Sequence, residues 1–217
     1  MNFVTDLLFP NRCLNCNHII YNQDIICEQC YDQINFTHWE ALKQNPLKLK
    51  LNTLFPVRET YALMHFEKQG LCRKIIHHLK YKHRENIGRQ LAKWTVKKIK
   101  LHIKPDLLIN IPLHPRKMKK RGYNQLHLYT ETLSHAWGIP FDHHYLKRIT
   151  HHKPQAGKNR LSRQHNTEIF TVPLARCNTH FLLIDDICTT GNTMAGCAWK
   201  ILEASNNSIS ILVMAID

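Results

Sequence analysis

Two acids and three threonines follow a short apolar run in Phe181-Leu182-Leu183-Ile184-Asp185-Asp186-Ile187-Cys188-Thr189-Thr190-Gly191-Asn192-Thr193. Ionised carboxylates at a strand end can accept hydrogen bonds from the vicinal hydroxyls of a sugar ring. A loop that opens a helix offers backbone N–H groups, and the helix dipole there favours a phosphate. Thr189, Thr190 and Thr193 add hydroxyl donors, and Gly191 permits positive φ or a close backbone approach. The plainer reading is a helix cap with a threonine-filled turn. A cap, however, does not call for two adjacent acids directly behind a buried strand, so the segment is expected to hold a phosphorylated sugar.

A second segment, Ile111-Pro112-Leu113-His114-Pro115-Arg116-Lys117-Met118-Lys119-Lys120-Arg121-Gly122-Tyr123-Asn124-Gln125, packs five cations into the six residues 116–121. Pyrophosphate needs cations or backbone N–H groups around its oxygens, and Arg suits bidentate contact. Pro112, Leu113, His114, Arg116 and Arg121 are therefore candidates to hold it, against the alternative of a solvated basic loop. Gly122–Gln125 also reads as a turn and helix start without a ligand. A further basic stretch, 148–166, with Lys153-Pro154-Gln155, Arg160, Arg163 and Asn166, reads as a flap over the site or a surface connection.

Of the eight cysteines, Cys13, Cys16, Cys27 and Cys30 form two close pairs ten residues apart. That spacing suits two knuckles giving four thiolates to one tetrahedral zinc, against the alternative of redox-active or buried thiols. Four protein ligands leave no open position for water, so the metal's expected role is structural. His18 is near enough to compete as a ligand. Cys72, Cys177, Cys188 and Cys197 are scattered and read as small buried hydrophobes.

These groups need elements to position them. Tyr61–Phe66, Leu107–Ile111, Phe181–Ile184 and Ile209–Ile216 read as strands. Cys72–Tyr81, Gly88–Lys100, Gln125–Trp137 and about Thr193–Ala204 read as helices. The alternation predicts an α/β fold with a mostly parallel sheet flanked by helices, whose ligands gather beyond the carboxyl ends of the strands. Residues 1–37 form the expected four-cysteine module, too poor in apolar residues for a core of their own. Residues 38–59 read as a connector without clean periodicity, and 60–217 as the α/β domain.

The 217 residues suffice for one such domain and a small appendage. Thirty Lys plus Arg against sixteen Asp plus Glu give a net charge of +14, which favours polyanions or phosphorylated ligands. No run of eighteen apolar residues and no signal-peptide pattern is present, so no membrane span and a cytoplasmic location are expected. Without a secretory context the cysteines argue against a disulfide scaffold.

The Asp185–Thr193 segment resembles the phosphoribosyl-pyrophosphate motif of type I phosphoribosyltransferases. That resemblance implies a phosphoribosyltransferase-like sheet, Asp185 and Asp186 on the ribose hydroxyls, and Thr189, Thr190, Gly191, Asn192 and Thr193 around the 5-phosphate. Purine-salvage members usually carry an acid where this chain has Thr189, which argues against purine salvage. In order along the chain, Leu8-Phe9-Pro10, the cysteine pairs, Leu79-Lys80-Tyr81-Lys82, Pro112-Leu113, Arg121-Gly122-Tyr123-Asn124-Gln125, Gln155, Arg163-Gln164-His165-Asn166 and the Asp-Asp-x-x-Thr-Thr-Gly loop together resemble the ComF (ComFC/GntX) family. Membership implies a competence-associated factor in the uptake of transforming single-stranded DNA, beside a helicase. Two other functions stay open. One is an active metabolic phosphoribosyltransferase using phosphoribosyl pyrophosphate (PRPP) with magnesium and an unnamed acceptor; the other is a DNA-binding zinc module on a catalytically inactive fold. Single-strand binders pair a basic groove with aromatic platforms; Tyr81, Tyr123 and Trp39 lie near basic residues but read as ordinary packing.

Overall fold

A computed structural model describes residues 10–20, 24–39, 42, 44–81, 84–149 and 169–217. Leu8, Phe9 and Lys82 lie outside the described residues, as do Lys153-Pro154-Gln155, Arg160 and Arg163-Gln164-His165-Asn166 of the second basic stretch.

The elements, in chain order, are α1 (Glu28–Tyr31), α2 (Pro46–Asn52), β1 (Thr60–His65), α3 (Leu71–Tyr81), α4 (Asn86–Lys98), β2 (Leu107–Asn110), α5 (Pro115–Arg121), α6 (His127–Trp137), β3 (Phe141–Asp142), β4 (Lys147–Arg148), β5 (Phe170–Thr171), β6 (His180–Cys188), α7 (Asn192–Leu202) and β7 (Ser208–Ile216). Five strands form one sheet in the order β1-β7-β6-β2-β3, and every neighbouring pair is parallel. β4 and β5 make a separate antiparallel pair. The expected parallel α/β fold is therefore present.

The alternation of side chains along β6 divides the core. Leu182 and Ile184 join Ile75, Leu79, Leu91 and Leu133 of α3, α4 and α6 on one face. Phe181 and Leu183 join Leu47, Leu51, Cys197 and Ile201 of α2 and α7 on the other. Each fully buried side chain of this size contributes about 1.5–3 kcal/mol by leaving water. Cys13, Ile20, Ile26 and Cys30 belong to the first of these clusters, so the cysteine module borrows its apolar core from α3 and α4.

Three expectations need correction. β6 does not end at Ile184: β7 runs beside it in register from His180↔Ser208 to Cys188↔Ile216, and that ladder carries Asp185 and Asp186 inside the strand. The connector contains α2, capped by Asn45, whose side chain accepts from Lys48 N at 2.9 Å, with Pro46 in the first turn. Its Leu-Lys-Leu-Lys-Leu alternation hides the helical pair Leu47 and Leu51, both fully buried. Among the four scattered cysteines, Cys72, Cys188 and Cys197 are buried as expected, but Cys177 is exposed. It lies in the connection before β6, beside Asn178 at φ 52°, where the chain bends over the surface.

Candidate ligand site and zinc module

The candidate site forms where β6 outruns its neighbour. The β2–β6 pairing stops at Asn110↔Ile184, followed by one more bond from Ile111 N to Ile184 O at 3.0 Å. The chain then turns away through Pro112, Leu113 and His114, all half-buried, leaving Asp185–Cys188 flanked by that loop instead of a strand.

Successive strand residues point to opposite faces, so the two acids part company. Asp186 is buried on the α3/α6 face. Its Oδ2 accepts from Lys80 Nζ at 2.9 Å and from Gln125 Nε2 at 2.7 Å. Gln125 Oε1 in turn accepts from Arg121 Nη1 at 2.7 Å. The Arg121 guanidinium sits 5.1 Å from the Tyr81 ring and is 6% exposed, while Tyr123 O–H donates to Leu79 O. Asp185 takes the opposite face, where its Oδ1 accepts from Asp186 N at 2.8 Å. Burial, followed by the charge of Asp186, pushes its carboxyl up to about 8, and the cations Lys80 and Lys117 pull the other way. The expected shared grip of both acids on one sugar edge is thus not how the strand presents them: Asp186 is engaged by protein cations and amides.

Thr189, Thr190, Asn192 and Thr193 are exposed around the N-terminus of α7, and only Gly191 is buried. Gly191 caps the helix at φ 82°, with Leu51 Cδ2 and Leu54 Cδ1 standing 2.8 and 2.9 Å from where a Cβ would sit. The α2 segment therefore closes one side of the turn, anchored by Trp199 Nε1 donating to Leu54 O at 3.0 Å. The threonine side stays open to solvent, with the partial positive charge of the helix end behind it.

The basic run is a helix, not a loop. His114 caps it, its Nδ1 accepting from Arg116 N at 3.1 Å, Pro115 starts it, and Gly122 ends it at φ 78°. Arg116, Lys117, Lys119 and Lys120 face solvent while Arg121 turns inward. The absence of an apolar stripe explains why periodicity missed it. Tyr81 is 49% exposed beside Arg121, not packed away as expected, because it is the last residue of α3. Tyr123 is half-buried and Trp39 lies edge-on to His65 at 5.5 Å, both in the packing roles expected of them. Lys80 and Gln125 were not expected at the site. Their signal was the pair of segments Leu79–Lys82 and Arg121–Gln125, whose purpose emerges only when both converge on Asp186.

In the N-terminal module, the Sγ atoms of Cys13, Cys16, Cys27 and Cys30 all lie within 4.8 Å of one another, with Cys16 and Cys27 at 3.6 Å. Four thiolates at a zinc–sulfur distance of about 2.3 Å stand about 3.8 Å apart in a regular tetrahedron, so the cluster fits that ion. Tight turns present the sulfurs: Asn17 N donates to Cys13 O at 3.0 Å and Tyr31 N to Cys27 O at 2.9 Å. Asn15 Nδ2 also donates to Cys30 Sγ at 3.4 Å. His18 is not part of the cluster.

Comparison with known proteins agrees with the four-cysteine module. Residues 4–41 match the double zinc ribbon domain family. The chain is 26% identical over 147 residues to the DNA utilization protein YhgH of Salmonella typhi, covering 63% of each. It is 31% identical over 94 residues to competence protein F of Haemophilus influenzae, covering 42% of this chain and 41% of that one. It is also 35% identical over 98 residues to competence protein ComFC of Bacillus subtilis, covering 45% and 38%. The relatives named for DNA utilization and competence support the resemblance to the ComF family. The chain spans 63% of the length of the YhgH protein it matches. Among solved structures it is similar to an adenine phosphoribosyltransferase, at 14% identity and a TM-score of 0.39, covering 67% of this chain and 75% of that one. The chain's fold class rests on its own parallel sheet and four-cysteine module. No helix among the described residues is long and apolar enough to cross a membrane.

Proposed function

We propose that the turn 189–193 and the neighbouring end of β6 bind PRPP or a related phosphoribosyl ligand, together with magnesium. The observation that carries this reading is the open threonine-lined turn at the N-terminus of an eleven-residue helix, following the stretch of β6 beyond its pairing with β2, where Asp185 stands. In this reading the hydroxyls of Thr189, Thr190 and Thr193 and the backbone N–H groups of these residues and Asn192 hold the 5-phosphate, with Gly191 shaping the turn. Asp185 meets the ribose hydroxyls. Asp186 plays a supporting part, holding Lys80 and, through Gln125, Arg121 at the site's edge. Pro112, Leu113 and His114 line the pyrophosphate side, and Arg116 supplies an exposed cation from α5. Magnesium bound with the ligand would take up part of the pyrophosphate charge.

At the level of the cell, the proposed role is handling of single-stranded DNA in the cytosol during natural transformation, beside an uptake helicase. The net charge of +14 and relatives named for competence and DNA utilization support it. The zinc module, with residues 1–37 as its extent, serves as a structural unit beside the α/β domain.

Isothermal titration of PRPP with magnesium into the zinc-loaded protein tests the sugar site. Saturable heat is expected from the wild type, with at least tenfold weaker binding in Asp185→Asn. An absence of heat in the wild type, or an unchanged affinity in the variant, would reject the assignment.

A further inference from the structure

Two cavities flank the second half of α4, at the opposite end of the sheet from Asp185. One, of about 840 Å³, lies between α4 and the zinc module; buried Ile20, Ile26 and Trp94 form part of its wall, with Lys93 and Lys97 on the helix side. The other, of about 470 Å³, is lined by Leu101, Trp137 and Ile139 together with Lys97, Lys100 and Lys104. Lys97 borders both.

Lys93 and Lys97 are one helical turn apart, about 6 Å along the axis. With Lys100 and Lys104 they continue as an exposed row along a path between the two cavities. No ion pair among the described residues uses any of the four. Lys98 is different: its ammonium lies 4.6 Å from the Phe36 ring and belongs to the packing of the zinc module. Lysines at the end of a helix can merely complement its dipole, but Lys93 precedes the last turn of α4, and Lys100 and Lys104 lie beyond it. The acids near the first cavity, Asp24 and Glu28, stand on the zinc-module wall, and Asp24 Oδ1 already accepts from Gln90 Nε2 at 2.5 Å. No acid among the described residues lines the second cavity.

We infer that this row and its two aromatic cavities form the surface on which the chain holds single-stranded nucleic acid. Phosphates follow Lys93, Lys97, Lys100 and Lys104, and bases enter the two cavities, one bordered by the buried Trp94 and the other by the half-buried Trp137. A cationic track beside aromatic platforms is the combination that unpaired strands require, because their bases are free to leave the stack. Bases of a duplex are held inside the helix and cannot enter such cavities. The inference rests on the DNA-handling part of the proposed function and is independent of its sugar site. Lys104 precedes β2, whose Leu107 pairs with Phe181, whereas Asp185 lies four residues further along β6, about 13 Å away. The two sites can therefore be occupied, and disabled, separately.

Fluorescence anisotropy of a labelled twenty-residue oligothymidylate, measured with the full zinc-loaded chain across a salt series, tests this surface. Lys93→Glu with Lys97→Glu, and Lys100→Glu with Lys104→Glu, are each expected to weaken binding at least tenfold at about 50 mM salt. Each pair is also expected to flatten the dependence of log affinity on log salt by about 0.7 for every phosphate of the single strand that is no longer neutralised. Asp185→Asn is expected to bind the oligonucleotide like the wild type. Wild-type affinity and slope in both double variants, or tighter binding of a duplex than of the single strand, overturns the surface. Wild-type protein that binds no oligonucleotide overturns the DNA reading and the surface with it, leaving the PRPP titration to judge the sugar site alone. Thermal midpoints and zinc content matched to the wild type keep the comparison on binding; where one falls, the Lys→Gln pair decides in its place.

Discussion

Asp185 and Asp186 are neighbours in sequence and opposites in environment. Asp186 has exchanged hydration for an ammonium and an amide, and the pair Lys80–Asp186 is buried enough that losing either partner strands the other, a change that typically costs about 3–5 kcal/mol. Asp185 pays for its position instead, with a carboxyl raised from 3.8 to about 8 by burial and by the adjacent charge. Below about pH 4 this group is protonated both folded and unfolded, so it adds no pH dependence there. Between about pH 4 and 8 the unfolded chain releases a proton that the folded chain keeps, and the protein loses stability as pH rises; above about pH 8 the loss levels off. Replacing the group with an amide removes that component. Urea unfolding of Asp185→Asn and wild type should therefore show a stability difference that moves in favour of the variant from pH 5 to pH 8. A difference that stays constant with pH would show that burial does not govern this carboxyl.

At the scale of elements, the turn before α7 depends on a helix that belongs to a different part of the chain. Leu51 and Leu54 close over Gly191, whose φ of 82° already excludes most side chains. Gly191→Ala adds a methyl at 2.8–2.9 Å from both leucines and imposes backbone strain of about 1–3 kcal/mol. The expected result is a lower thermal midpoint together with weaker PRPP binding, since the turn and the α2 contact move as one. A variant that melts like the wild type and keeps its affinity would mean that α2 does not brace the turn. The basic run shows the same dependence on context. As α5 it sends four cations outward and one, Arg121, inward to Gln125, so a single stretch of charge has two separate uses.

At the scale of the whole molecule, the zinc module is bound to the α/β core by shared packing. Cys13 and Cys30 are buried with Ile75 and Leu91, and Trp94 of α4 meets Tyr31 edge-on at 5.2 Å. Thiolate binding of the metal supplies folding energy that a segment with so few apolar residues cannot raise alone. One zinc per chain is expected by elemental analysis. Stripping it with a chelator should lower the urea midpoint and increase hydrogen exchange in α4 as well as in the module. Metal-free protein with an unchanged midpoint and an unchanged α4 would argue that the four cysteines hold no structural ion.

The parallel sheet was legible in the chain because apolar strands and amphipathic helices alternate, and burial on both faces leaves that pattern in the residues themselves. The zinc cluster was legible because its ligands are close in sequence, so spacing nearly determines geometry. Three features became apparent only in three dimensions. Asp185 and Asp186 separate because β7 extends the ladder of β6 past Ile184, a pairing between strands that no local pattern records. Lys80 and Gln125 meet on Asp186, with Arg121 behind Gln125, because the end of α3 and the turn between α5 and α6 come to the same stretch of β6. The lysine row along and beyond α4 acquires its cavities only when the zinc module and Trp137 fold beside it. Local chemistry can be read from neighbouring residues, but a contact between distant ones depends on the register and packing that the folded chain alone supplies.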